Sequence, residues 1–195
     1  MTTSKEFQQL CVEGRLADAK RAIRINPDID IRKNNEYVFK YACENGHLRV
    51  AKWLLRVKPD IDVSADNELA FRYACCYGHL RTAQWLLRVK PDIDIGADDE
   101  FAFRFACYNN QLRVVAWLLR VKPDIDVIVG GDFAFRYACD NGHLRVAQWL
   151  LWAKPDIDIS AEREYAFRWA CYYGHLRVAR WLIQVKPDID VGVAV

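Results

Sequence analysis

Apolar and polar positions along this chain switch between two periods, and the switch recurs. Leu48, Ala51 and Leu55 fall on one helical stripe, which Val50, Trp53 and Leu54 widen. That spacing predicts an amphipathic helix from about His47 to Val57. Before it, the segment from Glu36 to Cys43 reads as a shorter helix, capped by Asn34 and Asn35 and led by an acid. Glu36 and Lys40 stand four apart, in the order that favours an ion pair on a helix, and the pair returns as Glu68–Arg72, Glu100–Arg104, Asp132–Arg136 and Glu164–Arg168. Gly46 ends the first helix, with Gly14, Gly78, Gly142 and Gly174 at the matching places. Lys58-Pro59 ends the second, because proline cannot continue a helix and biases the preceding residue to an extended form. Asp60-Ile61-Asp62-Val63 then alternates polar with apolar, which predicts a brief extended arm.

The whole pattern repeats. Pro27, Pro59, Pro91, Pro123, Pro155 and Pro187 are 32 residues apart, as are Cys11, Cys43, Cys75, Cys107, Cys139 and Cys171. Trp53, Trp85, Trp117, Trp149 and Trp181 keep the same period. Helices this short are unstable alone, and one unit has too little core, so each must bury its apolar face on the next. The chain therefore reads as all-α, a solenoid of stacked helix-turn-helix units in a single domain over 1–195. The units run approximately over 1–33, 34–65, 66–97, 98–129, 130–161 and 162–195. Each tryptophan is expected to bury on the order of 200 Å², an upper bound of roughly 5 kcal/mol of stacking energy.

Composition narrows the picture little. With 52% hydrophobic and 28% charged residues the chain is core-forming rather than disordered. A net charge of +2 gives no overall pull toward nucleic acid or an anionic membrane. The longest strongly apolar run, residues 147–153, is too short to cross a bilayer, and the N-terminus lacks the apolar stretch of a secretory signal.

The units resemble the ankyrin repeat. The resemblance rests on Ala42-Cys43, Gly46-His47-Leu48, Val50-Ala51, Trp53-Leu54-Leu55 and Asp60-Ile61-Asp62, and covers nearly the whole chain in five clear copies and one divergent one. The usual Thr-Pro-Leu-His opening is replaced by Tyr37-Val38-Phe39-Lys40 or Phe101-Ala102-Phe103-Arg104. The period falls one short of the usual value of about 33 residues, so the arm should be shorter by one. This variant is similar to the 32-residue-period ankyrin arrays of giant DNA viruses. In the first unit Arg21, Asp18 and Gln9 replace a Trp, a Val and an aromatic, the polar exchange a capping repeat needs, so the array is expected to begin near residues 2–6.

The residue spacing offers three chemistries. Cys43 and His47, with their equivalents, are four apart, as helical metal ligands can be, but a helix-ending glycine separates them and two ligands do not complete a tetrahedral site. The cysteines stand where the family has a buried alanine, so they are expected to be buried, metal-free thiols. Adjacent copies, roughly 10 Å apart, are too distant for disulfides, which fits a reducing, cytoplasmic setting. Cys76, at a variable position, is the one expected to be exposed and reactive. Arg49, Arg81, Arg113, Arg145 and Arg177 form a row, with Arg56, Arg88 and Arg120 further along, that could track phosphates; the plainer reading pairs it with the aspartates of the arms. No phosphate loop, nucleophile elbow or zinc motif occurs, so no enzyme and no cofactor is expected.

Variation concentrates in the pair after each cysteine and in the arm. The pairs are Glu44-Asn45, Cys76-Tyr77, Tyr108-Asn109, Asp140-Asn141 and Tyr172-Tyr173, with four tyrosines among ten positions. The resemblance implies that these places line an inner concave surface that recognises a protein partner. Tyr77, Tyr108, Asn109, Asp140, Asn141, Tyr172 and Tyr173 are the expected binding residues, with Ile128 and Val129 of an unusually apolar arm. The expected function is a non-catalytic scaffold for a partner protein, in a viral setting a host one; the alternative is nucleic acid held by the arginine row. Trp152, which interrupts that row, is a rival anchor on the opposite face. Phe167, Trp169, Trp181 and Leu182 keep interior identities in the last unit, which predicts a shortened chain or end-to-end self-association.

Overall fold

The computed structural model describes residues 3–127 and 129–193, and describes side chains for these except 33–35, 129–132 and 193. It contains twelve α-helices and no strand among the described residues. They fall into two compact units, Met1–Asp98 and Asp99–Val195. The first holds the pairs α1 (Ser4–Val12) and α2 (Leu16–Ile25), α3 (Lys33–Glu44) and α4 (Leu48–Val57), and α5 (Ala65–Cys76) and α6 (Leu80–Val89). The second is built from α7 (Ala97–Tyr108), whose first two residues fall in the first unit, and α8 (Leu112–Val121), α9 (Val129–Asp140) and α10 (Leu144–Ala153), and α11 (Ala161–Tyr172) and α12 (Leu176–Val185), then a 3-10 turn at Val191–Val193.

Each first helix ends in a Schellman turn. Gly46 has a φ of 71°, its N–H donates to the Cys43 carbonyl at 3.1 Å, and that of His47 donates to the Ala42 carbonyl at 2.8 Å. A side chain at Gly46 would also strike the His79 ring, 2.4 Å from a Cβ placed there, so glycine serves both the turn and the packing of the next repeat. On α4 the fully buried residues are Val50, Ala51 and Leu54, while Leu48, Trp53 and Leu55 are half-buried flanks. The stripe thus lies one step round from the one the spacing suggested.

A buried phenylalanine forms the centre of each repeat. Phe7, Phe39, Phe71, Phe103 and Phe135 are among the largest fully buried side chains, and Phe167 is also buried. Tryptophans lean on it from the next repeat: Phe7–Trp53, Phe39–Trp85 and Phe135–Trp181 have ring centroids 6.3–6.4 Å apart. Trp85 and Trp117 are buried, whereas Trp53, Trp149 and Trp181 are only half-buried, so the tryptophans contribute less than full burial would give.

Among the described residues the expected Glu–Lys and Glu–Arg helix pairs do not form, and the backbone gives the reason; the side chain of Asp132, expected to pair with Arg136, lies outside them. Glu36, Glu68, Glu100 and Glu164 have φ of 61°, 63°, 57° and 59°, so they lie in a left-handed turn ahead of the right-handed helix and lack its four-residue neighbour relation. Asp66-Asn67, Asp98-Asp99 and Glu162-Arg163 share that turn. No side chain caps α3 either, since its N-cap is Arg32. The cations reach forward instead. Lys40 pairs with Asp66 and Arg72 with Asp98, and Arg136 lies 4.0 Å from Glu162, each bond joining one repeat to the next. Glu36 receives Arg32 at 2.7 Å, and Glu100 receives Lys122.

The arm is a turn rather than an extended segment. Ile61 and Val63 point inward, and Asp62 Oδ1 accepts the Ser64 N–H at 3.0 Å. Asp30, Asp94, Asp158 and Asp190 repeat this bond two residues on, an Asx turn that explains the second aspartate of these arms.

Candidate partner-binding site

The variable pair after each cysteine occupies the last turn of the first helix and the residue beyond it. Tyr77, Tyr108, Tyr172 and Tyr173 are exposed there, and Asn109, Asp140 and Asn141 are half-buried. Cys76 departs from expectation: it is 4% exposed. Its short side chain sinks at the end of α5, near enough to Tyr77 to act on that phenol, and is not an accessible thiol. Ile128 lies outside the described residues, and so does the side chain of Val129.

In the second compact unit four of the expected residues meet. Tyr108, Asp140, Asn141 and Tyr173 line a cleft of about 520 Å³. Tyr137, Tyr165, Trp169 and His175 complete its walls and were not anticipated. The signal was present: Tyr165, Trp169 and Tyr173 stand four apart, which carries one aromatic strip along α11 and past its end. Tyr137 packs on Tyr108 at 5.7 Å between centroids, and Trp169 lies 5.6 Å from both Tyr165 and Tyr173. Tyr172 stands edge-on to Tyr173 outside the cleft, at 5.0 Å and 85°.

The polar groups of the cleft are unevenly satisfied. Asn141 donates its Nδ2 to the Tyr137 carbonyl at 2.8 Å. Asp140 Oδ1 is buried and has no hydrogen-bond partner. Burial raises the Asp140 carboxyl above the usual aspartate value, and His175 nearby opposes that rise. Beneath the rim, His143 Nε2 lies 2.8 Å from the Tyr108 carbonyl oxygen. A carbonyl only accepts, so Nε2 carries the proton, and burial keeps this imidazole below the ordinary histidine pKa.

The remaining sites look different. Cys11, Cys43, Cys75, Cys107 and Cys139 are fully buried thiols, and burial raises their pKa, that of Cys11 to about 12. Arg49, Arg81, Arg113, Arg145 and Arg177 are each exposed; of the arm carboxylates, Asp60 pairs with Arg32 and Asp92 with Lys90, while Asp62 and Asp94 accept the backbone N–H of their Asx turns. Trp152 is 76% exposed and lies 6.2 Å from Trp149, beside a shallow hollow with Arg120 and Pro123. In the last repeat Phe167 and Leu182 are buried and Trp169 and Trp181 half-buried. The neighbouring Leu176, Ile183, Val185 and Val191 are the exposed ones.

No helix among the described residues is long and apolar enough to cross a membrane. No curated protein matches the sequence. In fold, the chain is similar to the solved structure of the human ASB11 ankyrin repeat domain, with a TM-score of 0.68 at 18% identity, over 92% of this chain and 83% of that one. A family model described as ankyrin repeats (3 copies) matches residues 8–99 and again 103–193. Two three-copy matches account for the six helix pairs, the glycine-ended first helices and the 32-residue period together. The chain belongs to the ankyrin-repeat family, whose repeats are general protein–protein interaction modules.

Proposed function

We propose that the six repeats act as one non-catalytic domain that binds a partner protein through the face bearing the ends of its first helices. The observation that carries this reading is the cleft of Tyr108, Asp140, Asn141 and Tyr173, where exposed tyrosines surround a carboxylate with a buried, unpaired oxygen. Tyrosine offers large contact area at little entropic cost, which suits a recognition surface. The resemblance to giant-virus arrays adds the proposal that the partner is a host protein. Seven free cysteines, most of them buried, support a reducing, cytoplasmic setting.

The test is affinity for the partner, identified by pull-down from host cytosol and then measured by calorimetry. Tyr108→Ala and Tyr173→Ala should each weaken binding about thirtyfold, the loss usual for a central aromatic. Trp152→Ala and Arg113→Ala, on the other face, should change it little. If only the second pair weakens binding, the face is wrong. Binding to nucleic acid that falls steeply with salt would transfer the function to the arginine row.

Self-association belongs to the same proposal but rests on other residues than expected. Leu176, Ile183 and Val185 are the exposed apolar side chains of the last helix pair. Light scattering should show mass rising with concentration, and Leu176→Lys should abolish the rise; a strict monomer at high concentration refutes it.

A further inference from the structure

We propose that the cleft formed by the ends of α9 and α11 receives an ammonium-bearing side chain, a lysine or its methylated form, from the partner. This rests on the protein-binding reading and names the chemistry at its centre. Tyr108 and Tyr137 form one wall, and Tyr165, Trp169 and Tyr173 form the other. Their faces carry partial negative charge and attract cations. Asp140 contributes the only full negative charge among the lining residues, with Oδ1 buried and lacking a donor. A buried acceptor left unpaired is costly, and a cationic donor satisfies both its charge and its hydrogen bond.

Other occupants fit less well. An anion would meet the Asp140 carboxylate, and a neutral amide would leave that charge uncompensated. The chain's own cations do not fill the place. Arg136 lies over the Tyr165 ring at 4.9 Å and turns toward Glu162, while His175 influences Asp140 without hydrogen-bonding to Oδ1. Arg136 also shows that a ring of this wall accepts a cation on its face. A lysine stem, four methylenes long, can lie along the aromatic walls while its head reaches the carboxylate.

An internal comparison isolates the feature. Three repeats earlier, Glu44 stands at the place of Asp140, with Tyr41, Tyr73 and Tyr77 at those of Tyr137, Trp169 and Tyr173. There, however, Val12 and Leu69 replace Tyr108 and Tyr165, so two rings are missing. Burial raises the Glu44 carboxyl as well, yet neither of its oxygens is a buried atom without a partner.

The experiment is an NMR titration of the whole chain, following the Trp169 indole N–H and the amides of Asp140 and Asn141. The probes are Nα-acetyl-lysine methylamide, tetramethylammonium, and the lysine probe acetylated on Nε, which is neutral. Saturable shifts with either cation and none with the neutral probe are expected; tetramethylammonium alone would assign the site to methylated lysine. Asp140→Asn should weaken the cations about tenfold, and Glu44→Gln should leave them unchanged. Equal binding of the neutral probe, an unaffected Asp140→Asn, or no saturation at tens of millimolar overturns the proposal. Partner binding separates the two readings. If Tyr108→Ala abolishes it and Asp140→Asn does not, the cleft chemistry fails while the face stands.

Discussion

His143 Nε2 lies 2.8 Å from the carbonyl oxygen of Tyr108, 35 residues earlier, and so ties the second helix of one repeat to the end of the first helix of the repeat before it. His79 makes the matching bond to Glu44. Both imidazoles are held below their ordinary pKa of 6.5, first by burial, with the carbonyl bond acting the other way. Below pH 6.5 the unfolded chain therefore takes up more protons than the folded one at these two sites. The stability they contribute is complete above that pH and is lost as the pH falls through the folded values. Glu44 and Asp140 act oppositely and lower, because their raised carboxyls gain stability on protonation. Urea unfolding should show a midpoint that is flat above neutrality and declines into the acid range. Gln111 occupies the histidine position of its own repeat, so His79→Gln with His143→Gln should flatten that decline. An unchanged slope would show that these bonds do not carry it.

The forward ion pairs give a second test. Lys40 has only 7% of its side chain exposed and Asp66 44%. A double-mutant cycle between Lys40 and Asp66 should give a coupling of about 1 kcal/mol, limited by the exposure of the aspartate. The same cycle between Lys40 and Glu36 should give a value near zero. Coupling to Glu36 instead would mean that the right-handed helix starts earlier than the backbone angles indicate.

Much of this was legible in the sequence. The period, the ends of the helices, the burial of Cys43 and its equivalents, and the exposure of Tyr77, Tyr108, Tyr172 and Tyr173 all follow from spacing and residue type. Glu36–Lys40 misled because spacing carries no record of the sign of φ, and one left-handed residue removes the helix neighbour relation. The phenylalanines keep the same 32-residue period as the tryptophans, so period alone does not separate the centre of the core from its flank. The cleft was half legible. Tyr108, Asp140, Asn141 and Tyr173 stood at variable positions, whereas Tyr137 and Tyr165 looked like ordinary first-helix aromatics until adjacent repeats brought them together.

The two classes of aromatic should separate in stability. Phe39 is fully buried, and Phe39→Ala should cost roughly 3–5 kcal/mol. Trp152 is 76% exposed, and its replacement by alanine should stay within about 0.5 kcal/mol. Chemical denaturation of both variants checks this, and a large loss at Trp152 would mean that it packs in the native state.

Thiol titration tests the cysteine column. Cys11, Cys43, Cys75, Cys107 and Cys139 should react only after unfolding, because burial both excludes the reagent and disfavours the thiolate. Cys171 is half-buried and should react first, ahead of Cys76. Bound stoichiometric zinc would contradict the assignment of these residues to the core.

The left-handed turn supplies the last test. Non-glycine residues in this conformation cost roughly 1–2 kcal/mol each, least for asparagine and aspartate, whose short polar side chains bond locally. Asp66-Asn67 and Asp98-Asp99 use those tolerant types, whereas Glu162 and Arg163 do not, with φ of 55° and 56°. Arg163 is exposed and makes none of the ion pairs that join the repeats, so its side chain can be removed without disturbing them. Arg163→Gly should therefore raise stability by about 1 kcal/mol, after the greater freedom of glycine in the unfolded chain is counted. Arg163→Val should lower it, since a β-branched residue fits this region worst. Thermal unfolding of the two variants decides: a loss with glycine would mean that residue 163 is not left-handed in solution.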